Sequence, residues 1–369
     1  MSRSRLTIPI LIFLILSACI EDFEFDGISA GEGIIVEGFI SDQSYNDLLL
    51  LPLPARYFTL KLSNVGEVEN VRNEPVLGAK IELHQDNNVV YDYAEIEGGE
   101  YGLFYEAFRA EPGSEYHLEI TLADGRQIVS EIQTLEREMD MGSFSLEEGI
   151  NVDYENIRGE VSITEQEGIN FYVTTLVNET EEPIYYKWDL TITWIFNAQL
   201  AEDNSPIKYC WATSKNFYKE YQLLEDQNGG VQNELFFLKT KSSRLNHGYT
   251  VLVRQTVMNS GYYTFWNEVE KQLNQSELFA APPYNIASNL TSDDIEVFGY
   301  FGVVNETFGR WYFDKDEVDN YGGWVNDQCI FGGPWAPWCF DCRAWAYDDR
   351  PVTPGMPEWW DTKYFRTKP

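Results

Sequence analysis

Apolar and polar residues alternate with a period of two along much of the chain. Tyr116, Leu118, Ile120 and Leu122 fall on one side of an extended segment, and His117, Glu119 and Thr121 on the other. Ile81 and Leu83 alternate in the same way with Lys80, Glu82 and His84. A period of two predicts half-buried strands. Further strands are expected over 34–40, 56–63, 89–95, 100–105 and 127–134. Turn-forming clusters lie between them: Asp86-Asn87-Asn88, Glu97-Gly98-Gly99, Glu111-Pro112-Gly113 and Ala123-Asp124-Gly125. Short strands punctuated this way predict an antiparallel, Ig-like sandwich over 31–137.

The alternation lapses over 138–158, which is acidic, contains glycine and reads as a connector. It then resumes in a larger β-rich domain over 159–369. Trp188, Leu190, Ile192, Trp194 and Phe196 share one face of a long strand. Phe171 with Val173, Tyr249 with Val251 and Val253, and Val297 with Phe301 and Val303 mark others. One segment changes period. Tyr262, Trp266, Val269 and Leu273 recur at helical spacing and predict a single amphipathic helix over 260–274, capped by Asn259 or Ser260. The fold class expected is mainly β.

Charge narrows the range of partners. Lys+Arg number 26 and Asp+Glu 60, a net charge of −34. A nucleic-acid interface needs a basic footprint, so nucleic acid is excluded as a partner. At the N-terminus, Arg3 and Arg5 precede an apolar run over 8–16 that is too short to span a bilayer. The run ends in Leu16-Ser17-Ala18-Cys19, which resembles a bacterial lipobox. The expectation is a signal peptide over 1–18 and lipidation of Cys19, with fatty acyl chains such as palmitate as the membrane anchor. An acidic tether follows over 19–30. Its Glu21 and Asp22 resemble a surface-export signal, so the lipoprotein is expected to face outward.

Cys210, Cys329, Cys339 and Cys342 remain. An even number of cysteines in an exported chain predicts two disulfides with three pairings open. Cys339-Phe340-Asp341-Cys342 is a CxxC without a thioredoxin-like context, so a structural role is favoured over redox chemistry. A four-cysteine zinc site would need a second CxxC. Seven of the eleven tryptophans fall after residue 309, among many prolines and glycines. Indole rings suit sugar stacking and protein hot spots. Trp335, Trp338, Trp359 and Trp360 are therefore the candidate surface for a partner or ligand.

Catalytic chemistry finds little support. There is no HExxH helix or glycine-rich phosphate loop. His84 and His117 are expected on solvent faces of strands, and His247 in a turn. Asp314 and Asp316 begin a calcium-loop pattern that fails at Val318 and Asp319, so a charged turn is expected there. No catalytic residue, metal or cofactor is expected.

Several segments carry a family resemblance. PVLGAKIEL, GGEYGL and GSEYHLEITLADGR resemble a transthyretin-like or carboxypeptidase-regulatory sandwich. Together with IIVEGFISD, YYKWDLTITW, CWATS, YTVLVRQTVMNSGYYTFWNEVEKQ, NIASNL, VFGYFGVV and CFDCR, they resemble the Bacteroidota lipoprotein family known as domain of unknown function 4249. The resemblance implies an outer-membrane lipoprotein encoded beside a TonB-dependent transporter, and hence an accessory binding or assembly partner in nutrient uptake. A surface protein that binds carbohydrate or peptide, or an adhesin, without a transporter is the alternative. A hydrolase using a carboxylate pair is the third reading.

Overall fold

A computed structural model describes residues 33–51, 53–65, 74–86, 89–157, 160–214, 221–273, 286, 288–318, 329, 335–346 and 351–366. The signal segment, Cys19, the acidic tether, Asp319 and Trp324 lie outside the described residues. The chain is mainly β, as its alternation predicts.

Eight strands come from the first part of the chain. They are β1 (Gly33–Ser41), β2 (Phe58–Asn64), β3 (Lys80–Gln85), β4 (Val89–Glu95), β5 (Glu100–Leu103), β6 (Glu115–Thr121), β7 (Gln127–Ser130) and β8 (Gln133–Thr134). β4 pairs with β3 over Val89–Tyr93 and with β5 at Ala94 and Glu95, so it passes from one layer to the other. The alternating residues then meet in one core. Ile34, Val36, Leu60, Leu62, Ile81, Leu83, Tyr101, Tyr116, Leu118 and Ile120 are all buried there. A short helix not among the expected elements, α1 (Tyr45–Leu50), is started by a Ser44–Asp47 capping box ahead of an apolar run.

The later strands are β9 (Ser143–Ile157), β10 (Glu160–Thr174), β11 (Ile184–Asn197), β12 (Tyr209–Ser214), β13 (Gln222–Asp226), β14 (Gln232–Lys239), β15 (Tyr249–Met258), β16 (Leu290–Thr291), β17 (Glu296–Tyr312) and β18 (Val352–Pro354). The order β14-β10-β9 makes a small sheet. Its Ile169, Phe171, Val173, Phe236 and Leu238 pack against Tyr186, Trp188, Leu190, Ile192, Tyr249 and Val251 of the large sheet.

The connector expected over 138–158 is corrected, since most of it is β9. Phe144 and Leu146 touch the core. Farther out, Ile150 and Val152 stand in solvent, as does Ile163 across the ribbon. With no face consistently buried, the strand carries no period to read.

β17 joins the two halves. Its first part, Glu296–Val304, pairs with β1, and its second, Asn305–Tyr312, with β15. The β1 pairing is parallel, which departs from the all-antiparallel sandwich expected. Gly299 sits opposite Val36 with φ of +97°, and a β-carbon there would collide with the Val36 carbonyl oxygen. A residue that tolerates positive φ and has no side chain is required at that point.

Helix α2 spans Ser260–Leu273, within a residue of expectation. Asn259 caps it, its Oδ1 accepting from the Tyr262 amide at 2.8 Å. Its first turns lay Tyr262, Tyr263, Phe265 and Trp266 on Phe39, Tyr185, Met258 and Tyr300.

Candidate functional site

The sequence-nominated tryptophans do not form one surface. Trp335 is 52% exposed and meets the exposed Phe340 edge-to-face. Trp338 is half-buried against Trp345, with ring centroids 5.5 Å apart. Trp359 is half-buried, with the Arg310 guanidinium 4.0 Å from its ring centroid. Trp360 is corrected: it is 3% exposed and packs with Ile195 and Trp211. The C-terminal segment is a strap over the outer face of the large sheet.

Two disulfides and a histidine hold that strap. Cys210 bonds Cys342, and Cys329 bonds Cys339, so the two cysteines of the CxxC take different partners. All four are buried. His247 lies in a turn as expected. Its Nδ1 meets the Arg366 carbonyl at 2.9 Å, and its Nε2 meets the Asn197 amide at 3.1 Å. A carbonyl only accepts, so Nδ1 carries the proton and Nε2 accepts from Asn197.

Burial depresses the His247 pKa below its ordinary 6.5, and Arg366 and Lys208 add repulsion. The folded chain therefore takes up this proton less readily than the unfolded chain. Above pH about 6.5 both forms are neutral and nothing is lost, and stability falls as the pH drops below that value. The thermal midpoint should decline between pH 7.5 and 5.5, and His247→Asn should flatten that decline. Parallel pH profiles for both proteins would contradict this assignment.

The best-built cavity lies elsewhere, beneath α2. It encloses about 280 Å³. Phe39, Tyr221, Tyr262 and Trp266 supply apolar walls, and Lys187, Asp189, Arg254 and Thr256 supply the polar floor. Strand geometry places the floor. Tyr186, Trp188 and Leu190 of β11 point into the core, so Lys187 and Asp189 point the other way. Asp189 opposes Arg254 across β11 and β15. Lys187 Nζ contacts Asp189 Oδ1 at 2.6 Å, and Arg254 Nη2 contacts Oδ2 at 2.7 Å. Lys187 Nζ also lies 4.6 Å from the Trp266 ring centroid and 4.8 Å from that of Tyr221.

The network continues into the first sandwich. Glu306 on β17 is 0% exposed. It accepts from Ser41 Oγ at 2.6 Å and Arg56 Nη2 at 2.5 Å, and Arg254 Nη1 lies 3.6 Å away. Asp42 accepts from the Glu306 amide at 2.8 Å and from Asn305 Nδ2 at 2.7 Å.

The titrations follow from this packing. Burial raises the Asp189 carboxyl, but Arg254 and Lys187 outweigh it and hold the pKa below its ordinary value. Burial lowers the Lys187 ammonium despite Asp189. Burial raises Asp42, its hydrogen bonds opposing this only in part. A larger cleft of about 750 Å³ opens on the other face of β17, but Glu111, Glu138 and Asp140 line it and offer little apolar contact.

Sequence reasoning missed this pocket. Its visible signal was the pair Lys187 and Asp189 interleaved with core residues on a long strand. His84 and His117 do lie on the outer face of their strands, each about a quarter exposed. The Asp314 region forms a short turn in which the Asp314 carboxylate accepts from the Asp316 amide.

No curated protein and no solved structure matches the chain significantly. A family model does match, over residues 20–310, ending within β17 before the strap begins. The chain belongs to the family described as domain of unknown function (DUF4249).

Proposed function

We propose that this protein is a non-catalytic, outer-membrane lipoprotein of the Bacteroidota type that captures a small ligand for a TonB-dependent transporter. The pocket under α2 carries the binding part of this reading. Aromatic walls around a few fixed polar groups are the makeup of a recognition site, and ring faces suit a sugar or an aromatic peptide side chain. Lys187, Asp189, Arg254 and Glu306 are committed to one another, an arrangement that orients a ligand rather than moving its protons.

The anchor rests on Leu16-Ser17-Ala18-Cys19. No helix among the described residues is long and apolar enough to cross a membrane. Acyl chains on Cys19 would supply the attachment, each buried methylene contributing about 0.8 kcal/mol. The transporter is what the family resemblance implies.

Two experiments test the reading. Cys19→Ser should move the protein from the membrane fraction to the soluble fraction, and unchanged sedimentation with membranes would refute the anchor. Detergent extraction and affinity purification should bring down a β-barrel transporter in stoichiometric amount. Retention on a polysaccharide column with no co-purifying barrel would favour the free-standing carbohydrate-binding alternative.

A further inference from the structure

His84 and His117 are direct cross-strand partners on β3 and β6. Their rings stack, with centroids 4.7 Å apart and planes inclined by 14°. Glu119, two residues beyond His117, shares their face of the sheet. His84 Nε2 lies 3.6 Å from one Glu119 oxygen, and His117 Nε2 lies 3.6 Å from the other. The three ligand atoms all fall within 4.8 Å of one another.

That spacing does not suit hydrogen bonding. At 3.6 Å an imidazole and a carboxylate are too far apart to bond directly. His84 Nε2 is nevertheless shut off from solvent and has no hydrogen-bond partner. A buried polar atom left unsatisfied calls for an explanation. Donors bound at 2.0–2.1 Å around a tetrahedral ion stand roughly 3.4 Å apart. The two His–Glu119 gaps of 3.6 Å are close to that length, the three ligand atoms lie within 4.8 Å of one another, and one ion reaches both Nε2 atoms when the stacked rings splay apart.

We propose that His84, His117 and Glu119 form a binding site for a divalent transition-metal ion. Two imidazoles with one carboxylate select zinc, nickel or copper(II) over calcium or magnesium. Three protein ligands, one of them half-exposed, leave a coordination position open to solvent, so the ion is exchangeable rather than sealed in. The surroundings favour a cation. Lys80, on the same face, is held by Glu82 at 2.7 Å, and the chain as a whole carries a charge of −34. The site uses none of the residues of the pocket under α2, so it stands or falls independently of the function proposed above.

The test is zinc titration of the untagged, detergent-solubilised full chain in millimolar calcium, which saturates the nonspecific acidic surface. One tight equivalent is expected to survive the calcium. The double variant His84→Gln/His117→Gln should lose it, and Glu119→Gln should weaken it about tenfold. X-ray absorption of the zinc-loaded chain should show scattering from two imidazoles. This readout is specific, because the chain has three histidines and both ring nitrogens of His247 are engaged elsewhere. A tight equivalent retained by the double variant, coordination by oxygen alone, an unaffected Glu119→Gln, or no tight equivalent in the parent would each overturn the assignment.

Discussion

Glu306→Ala is expected to lower the folding stability by about 3 kcal/mol, read as a fall in the urea midpoint. Removing one member of a buried ion cluster leaves its partners uncompensated, which typically costs 3–5 kcal/mol. Glu306 is fully buried, and its loss strands the guanidinium of Arg56 and the hydroxyl of Ser41, while Arg254 loses one of its two carboxylates and keeps Asp189. Both guanidiniums keep about a third of their side chains in solvent, so water recovers part of the loss and the low end applies. Glu306→Gln keeps the shape and one acceptor oxygen and should lose roughly half as much. An alanine variant within about 0.5 kcal/mol of the parent would show that the cluster adds little to the fold.

Removing the Cys210–Cys342 bridge as a double alanine variant should cost roughly 4–5 kcal/mol. The bridge spans 132 residues, and in the chain-entropy account a longer closed loop constrains the unfolded state more. Cys329–Cys339 spans only 10, and its removal should cost about 3 kcal/mol by the same relation. The longer bridge also sits where β12 meets β18, Cys210 lying opposite Pro354. Amide exchange over 337–366 should therefore accelerate when it is removed. Equal costs for the two bridges, or unaltered exchange in that segment, would contradict this account.

The sequence made legible those elements that bury one face and wet the other. β3 and β6 alternate cleanly because one side of each meets the core. α2 shows its stripe because Tyr262 and Trp266 share a face of the helix. β9 was illegible because Glu147 and Asn151 on one face and Ile150 and Val152 on the other all stand in solvent. The pairing of β1 with β17 was illegible because Val36 and Gly299 are joined by register, which local period does not encode. The pocket was hidden for the same reason: Lys187, Asp189, Arg254 and Glu306 are ordinary polar positions until three strands align.

The tryptophans misled for a different reason. Proline-rich context suggested exposure, yet Ile195 and Trp211 make the outer side of the large sheet apolar. That side needs a cover, and Trp360 supplies it. Their outward position on β11 and β12 was the available clue.

A strand common to both sandwiches has a mechanical consequence. Two bodies linked by a flexible peptide can swing, but here Val304 and Asn305 are consecutive residues of one continuous strand, with β1 along one stretch and β15 along the next. Among the described residues, that shared strand leaves no hinge between Val304 and Asn305. A guest entering beneath α2 would find Phe39 of one body and Arg254 of the other already at fixed spacing, and accommodation would fall to rotamers of the ring side chains. Any pull delivered through the leading strand would pass straight into the spine of the whole particle.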